Sequence, residues 1–230
     1  MSRLTFRLAG SFGPKLITTL LLACVVWLFS ITLQGDPGYD VRILQTAVCC
    51  LLVGTLMYPP ADNSLSAALH GLLIALVFLG AGWLQAEEFQ ASLLFTAVIL
   101  AAISGCAASL ELLLRKIPTS VDYSSLIVLV ILIISGSSPV WAGVLIELAN
   151  APEGLTQAAV TLSPLSHLAV GLEMDYLRTE WIYRVTPIGS LRYSYPGPVL
   201  VILGYLCLML LIHLGTRFAT EKSNRGGSQS

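Results

Sequence analysis

Few residues in this chain could do chemistry, and nearly all of them sit in apolar surroundings. Ser104, in AISG, and His213, in LLIHLG, are a candidate nucleophile and base. A serine hydroxyl attacks only when a base lies within hydrogen-bond reach and donors hold the developing oxyanion. His70 is a second imidazole within an apolar run, and Glu111 and Glu147 lie near the ends of two others. Proton- and ion-coupled carriers keep ionisable groups at mid-membrane depth, where this chain offers only His70 and His213. A lone histidine there more often packs or hydrogen-bonds than relays protons, which disfavours a proton-coupled pump. The nearest approach to a phosphate-binding loop is GSFGPK at 10–15, which lacks the G-x-x-x-x-G-K-[ST] spacing. Uphill transport would therefore draw its power from another polypeptide. Cys24, Cys49, Cys50, Cys106 and Cys207 all lie in apolar runs, without a CxxC pair or a Cys/His pair at zinc spacing. They read as small hydrophobes, and no metal or cofactor site is expected in this chain.

The elements that would hold these residues are set by composition. Hydrophobic residues make up 56% of the 230, charged residues 11%, and the mean hydropathy is +0.82. A soluble domain carries about 25% charge, so this chain lacks the polar residues to cover itself in water. With a net charge of −1 it has no basic character to attract nucleic acid. A hydrocarbon core about 30 Å thick needs roughly 17–25 apolar residues of helix. The segments 16–33, 43–58, 65–84, 91–114, 125–148 and 197–216 meet or approach that length. Pro59-Pro60 ends the second, because two prolines cannot continue a helix. The first reads as a retained span, since ITLQGDPG offers no A-x-A-like cleavage site. The expected fold is an all-α integral membrane protein with six transmembrane helices.

Lysine and arginine set the orientation. Arg3, Arg7 and Lys15 precede the first span, Arg115 and Lys116 follow the fourth, and Arg217, Lys222 and Arg225 follow the sixth. The alternate connections carry Asp36, Asp40 and Arg42, then Glu87 and Glu88. Both termini are expected in the cytoplasm, with the chain in the plasma (inner) membrane. Residues 1–15 form a cytoplasmic leader, read either as an interfacial helix carrying Leu4 and Leu8 on one face or as a frayed basic segment. Residues 16–216 form the membrane domain, and 217–230 read as a disordered cytoplasmic tail.

The connection at 149–196 is unlike the others. It is too polar to cross a bilayer and too apolar for an ordinary loop. Within it, 163–178 reads as a helix: Ser163 is a cap, Pro164 suits the first helical position, and Leu165, Leu168, Ala169, Leu172 and Tyr176 form one stripe. Glu173, Asp175 and Arg178 favour the aqueous side, and Trp181, Tyr183, Tyr193 and Tyr195 suit an interface belt. Just upstream, Gly136 and Pro139 in ISGSSPVWAG interrupt the fifth span. A broken backbone at that depth must be shielded by protein or by a water-filled cavity. These features predict a short extracytoplasmic cap, re-entrant and amphipathic, between the fifth and sixth helices, with Ser163, Pro164, His167, Glu173 and Asp175 as its candidate residues.

Two families share parts of this pattern. Rhomboid-type intramembrane proteases resemble it in having six spans, with a serine on the fourth and a histidine on the sixth. Their serine motif is G-x-S-G, however, and this chain has Ala102 where the first glycine belongs; the histidine and asparagine expected on the second span are absent. The small-residue reading of Ser104-Gly105, as a helix contact, is the plainer one. The arrangement as a whole resembles the ABC type-2 permease family, the membrane subunits of ABC exporters. SGSSP at 135–139 is similar to the place where that family's fifth span breaks, and Ser163-Pro164-Leu165 to the small-Pro-Leu step that opens its last outer helix.

The second resemblance implies a permease subunit, paired as a homodimer or heterodimer in membrane lipid and driven by a cytoplasmic ATPase subunit that binds the ATP. It also implies ATPase contacts through the connection between spans two and three, here Tyr58, Pro59, Pro60 and Asp62, with Arg115 and Lys116 as a second inward surface. The family's longer charged loop, with an E-R-E-like run, is missing at 58–64. The expected function is thus transport rather than catalysis. A non-transporting membrane scaffold or assembly subunit is the alternative, and a rhomboid-like serine protease a further one.

Overall fold

The computed structural model describes residues 39–57, 61–85, 91–116, 123–148, 153–179 and 191–226, together with 20, 21, 24 and 188. Among the described residues all regular structure is helical. In chain order the helices are α1 (Tyr39–Met57), α2 (Ser64–Gln85), α3 (Ala91–Leu114), α4 (Ser124–Gly136), α5 (Ser138–Leu148), α6 (Glu153–Leu162), α7 (Pro164–Gly171) and α8 (Pro198–Gly226), with a 3₁₀ turn at Tyr176–Arg178 before the last. Four of them, α1, α2, α3 and α8, are long and apolar enough to cross a membrane, and α4 is a shorter apolar helix. The chain is compatible with a multi-pass membrane protein. The expected first span at 16–33 lies outside the described residues apart from Leu20, Leu21 and Cys24, which are exposed, and the leader before it lies outside them entirely.

Small residues set how closely the helices approach. A Cβ on Gly71 of α2 would collide with the backbone carbonyl of Ala101 and lie 2.8 Å from the Gly105 nitrogen, both on α3. Only hydrogen fits at that crossing, which brings the two backbones together as small residues do between apolar helices. Gly82 meets the Leu93 side chain, so α2 and α3 run antiparallel. Gln85 Nε2 donates to Thr46 Oγ1 at 3.2 Å, placing the start of α1 beside the end of α2. A Cβ on Gly105 would lie 3.5 Å from Met209 Sδ, and one on Gly215 4.0 Å from Leu113, so α8 runs parallel to α3. The core between them is built on Ile74, Phe78, Ile99, Leu100 and Ile103, all buried. The outward face of α8 is apolar as well, with Leu211 64% and Phe218 70% exposed, a surface suited to lipid rather than water.

Several boundaries differ from the sequence reading. The helix expected at 163–178 stops at Gly171, and α8 runs on to Gly226, so residues 217–226 are helical rather than the disordered tail expected there. That stretch, RFATEKSNRG, has no proline, and its only glycine is the last residue, so nothing in it breaks the helix. α1 begins at Tyr39, ahead of the expected 43, with Asp40 in its first turn where a carboxylate is favoured.

Candidate functional site

The interruption of the fifth apolar segment falls between Gly136 and Ser138. Ending a helix leaves its last carbonyls without partners, a heavy cost in apolar surroundings. Here side chains take up those carbonyls. Trp141 Nε1 donates to Ile134 O at 3.0 Å, Ser138 Oγ to Ser135 O at 2.7 Å, and Ser163 Oγ to Gly136 O at 2.9 Å. Ser138 Oγ also lies 2.9 Å from Ala159 O on α6. Ser137 bridges the two halves: its nitrogen donates to Ile133 O at 2.9 Å, and its carbonyl accepts from Val140 at 2.9 Å.

Ser163 serves a second purpose. Its oxygen accepts from the Ser166 nitrogen at 3.3 Å, capping α7 with Pro164 in the first turn, as the sequence predicts. α7 itself does not lie on the surface as an amphipathic helix. It packs against α1, α3, α4 and α8. Ser166, Leu168, Ala169 and Gly171 are all buried, and a Cβ on Gly171 would lie 2.8 Å from the Thr96 Cα. The expected stripe is buried except for Leu165, but the polar side of the helix is buried too.

His167 is held on both sides. Its Nε2 lies 2.8 Å from the Thr161 carbonyl, which can only accept, so Nε2 carries the proton. Nδ1, 2.9 Å from the Tyr205 hydroxyl, then accepts from it. Burial lowers the histidine's affinity for a second proton, partly offset by the Thr161 bond. Tyr176, 1% exposed, has its hydroxyl 3.1 Å from Ser166 Oγ, and burial pushes that phenol up to about 12.

A second polar cluster ties the segment before α8 to the turn after α7. Tyr193 and Tyr195 both donate to Asp175 Oδ1, at 2.8 and 2.9 Å. Burial and the Asp175 bonds raise both phenols well above the ordinary tyrosine range. Arg178 pairs with Asp175 Oδ2 at 3.3 Å and lies over the Tyr193 ring. Gln157 on α6 clasps the same segment: its Nε2 donates to Ser194 O at 2.7 Å, and its Oε1 accepts from the Ser194 nitrogen at 2.9 Å. Glu173 is exposed at φ 56°, where α7 ends: its nitrogen donates to Val170 O at 3.1 Å and the Met174 nitrogen to Ala169 O at 2.9 Å. Sequence reasoning named Ser163, Pro164, His167, Glu173 and Asp175, but not the Gly136 carbonyl as partner of Ser163, Tyr205 as partner of His167, or the clasp of Gln157 on Ser194. Those lie far along the chain, and no local spacing announces them.

The opposite end carries the inward candidates. Glu111, 2% exposed, accepts from Ser125 Oγ at 2.7 Å and pairs with Arg115 Nε at 3.4 Å. Arg115 Nε also donates to Ser124 Oγ at 3.1 Å, so this arginine joins α3 to α4, whereas Lys116 and Asp62 are exposed. Tyr58, Pro59 and Pro60 lie outside the described residues. Ser104 is 1% exposed, and among the described residues its hydroxyl has no hydrogen-bond partner, a base included. Among the described residues no cluster of histidine, cysteine and carboxylate side chains could hold a metal. Compared with known proteins, the chain matches no family model, no curated protein and no solved structure.

Proposed function

We propose that the chain is the membrane-spanning permease subunit of an ABC-type exporter, a dimer of type-2 permease character powered by a separate cytoplasmic ATPase. In this reading it crosses the plasma (inner) membrane six times, counting 16–33. Both termini are cytoplasmic, and 149–196 closes the outer side as a cap. The chain holds no cofactor of its own, since ATP binds the partner. The observation that carries the reading is the interrupted apolar helix whose freed carbonyls are taken up by Ser138, Trp141 and Ser163. A break satisfied in this way is built to stand in a low-dielectric setting, with short helices returning onto it. The inward end then offers Asp62 and Lys116 to an ATPase.

Affinity purification from the native membrane, followed by co-reconstitution, tests this. An ATPase should co-purify, and its turnover should rise with the permease present. Lys116→Glu and Asp62→Lys should each lower that stimulation several-fold while leaving membrane insertion intact. A chain that purifies alone and stimulates no co-resident ATPase would leave the scaffold reading in its place.

A further inference from the structure

The bundle contains a cavity that the break and its ties do not explain. α4 and α8 each pack on α3 and on α7 but not closely on one another. The gap between them holds about 390 Å³, within the range of small-molecule sites. Its walls are aliphatic, with Ile103 from α3, Val128 and Leu132 from α4, and Val201 from α8. Every lining residue among the described residues is uncharged, so an ionised group would meet no counter-charge from them and would enter at a heavy desolvation cost.

Two features narrow what fits. First, the residues at the mouth also face outward: Leu200 is 67% and Ile131 45% exposed, continuous with the apolar outer face of α8. An occupant therefore arrives from the same apolar surroundings as those helices. Second, the polar groups lie where α7 closes the gap: Ser135, Thr161, His167 and Tyr205. Ser135 Oγ donates to Ile131 O at 2.7 Å, and Tyr205 donates to His167 Nδ1. Both protons are committed, so the Ser135 and Tyr205 oxygens keep lone pairs to accept from a donor.

We propose that the gap between α4 and α8 is a lateral binding site for one hydrocarbon chain of a membrane amphiphile that ends in an uncharged hydroxyl donor. The proposal rests on the chain lying in a bilayer, and not on its coupling to an ATPase.

The test uses full-length protein in phosphatidylcholine nanodiscs and a monoacylglycerol with a diazirine in mid-chain. Labelling should saturate, map to peptides spanning 103–107 and 200–208, and be displaced by unlabelled monopalmitin. Palmitate at about pH 9.5, where it is ionised in the bilayer, should compete at least tenfold less well. Gly204 lines the cavity, and a Cβ there meets nothing within 4 Å, so Gly204→Trp fills the space without a clash at its root. That variant should lose the saturable labelling by at least tenfold while keeping its melting temperature. Labelling that never saturates, survives Gly204→Trp, or is displaced equally by palmitate overturns the proposal. So does a disulfide between Ile131→Cys and Leu200→Cys of two copies, which would give the opening to a second chain. Failure to enter nanodiscs would overturn the membrane reading itself.

Discussion

Glu173 occupies backbone space that glycine normally fills. The hydrogen bonds from Glu173 to Val170 and from Met174 to Ala169 close α7 in the way a left-handed residue closes a helix. The left-handed region costs an L-residue roughly 1–2 kcal/mol, while a glycine there gives back about 0.4–1 kcal/mol through its freer unfolded chain. The Glu173 side chain is exposed. Glu173→Gly should therefore raise unfolding stability by about 0.5–1 kcal/mol, read from thermal melts in detergent. A loss of stability would mean that the carboxylate itself is needed. His167 gives a second residue-scale test. Burial lowers its proton affinity below the ordinary value of 6.5. The unfolded chain then binds a proton that the folded one resists, so stability is complete above about pH 6.5 and falls as the pH drops below it. The melting temperature should fall more between pH 7.5 and 5.5 for the native chain than for His167→Gln. Equal falls would remove His167 as the cause.

At the scale of elements, the contrast between Gly71 and Gly80 on α2 separates helix contact from helix propensity. A methyl at 71 meets backbone atoms of α3, which cannot swing aside, whereas one at 80 meets nothing within 4 Å. Gly71→Ala should cost about 1–3 kcal/mol through overpacking. Gly80→Ala should be neutral or stabilise by up to about 1 kcal/mol. Melts of the two variants side by side decide it, and similar costs would show that α2 and α3 are not held by that crossing. The same distinction explains what could be read from the sequence. The break at SGSSP was legible because glycine and proline act on their own neighbours, and the cap at Ser163 because its pattern spans a few residues. The end of α7 was not. The apolar stripe runs on through Leu172 to Tyr176, and the left-handed turn that closes the helix falls on Glu173, a residue type that does not announce such a turn as glycine would. The burial of Ser166 and His167 was hidden because their partners Tyr176 and Tyr205 lie beyond any helical repeat.

The whole molecule has two polar ends separated by apolar flanks, and the chain alternates between them. One end gathers the start of α1, the end of α2, α7 and the Asp175 cluster; the other holds Asp62, the Glu111–Arg115 pair and Lys116. Basic residues favour the cytoplasmic side, so Lys116 should face inward and Glu173 outward. Both are exposed, and either can be replaced by cysteine without disturbing the core. With Cys24, Cys49, Cys50, Cys106 and Cys207 replaced, a membrane-impermeant maleimide applied to intact cells should label Glu173→Cys at once. Lys116→Cys should react only after permeabilisation. Labelling of both from outside would put the two ends on one face of the membrane, and a helix such as α3, which runs from one end to the other, could then not cross the bilayer. Labelling in the reverse order would keep the crossing but invert it, turning the Asp175 cluster toward the cytoplasm and leaving the surface proposed for an ATPase on the wrong side.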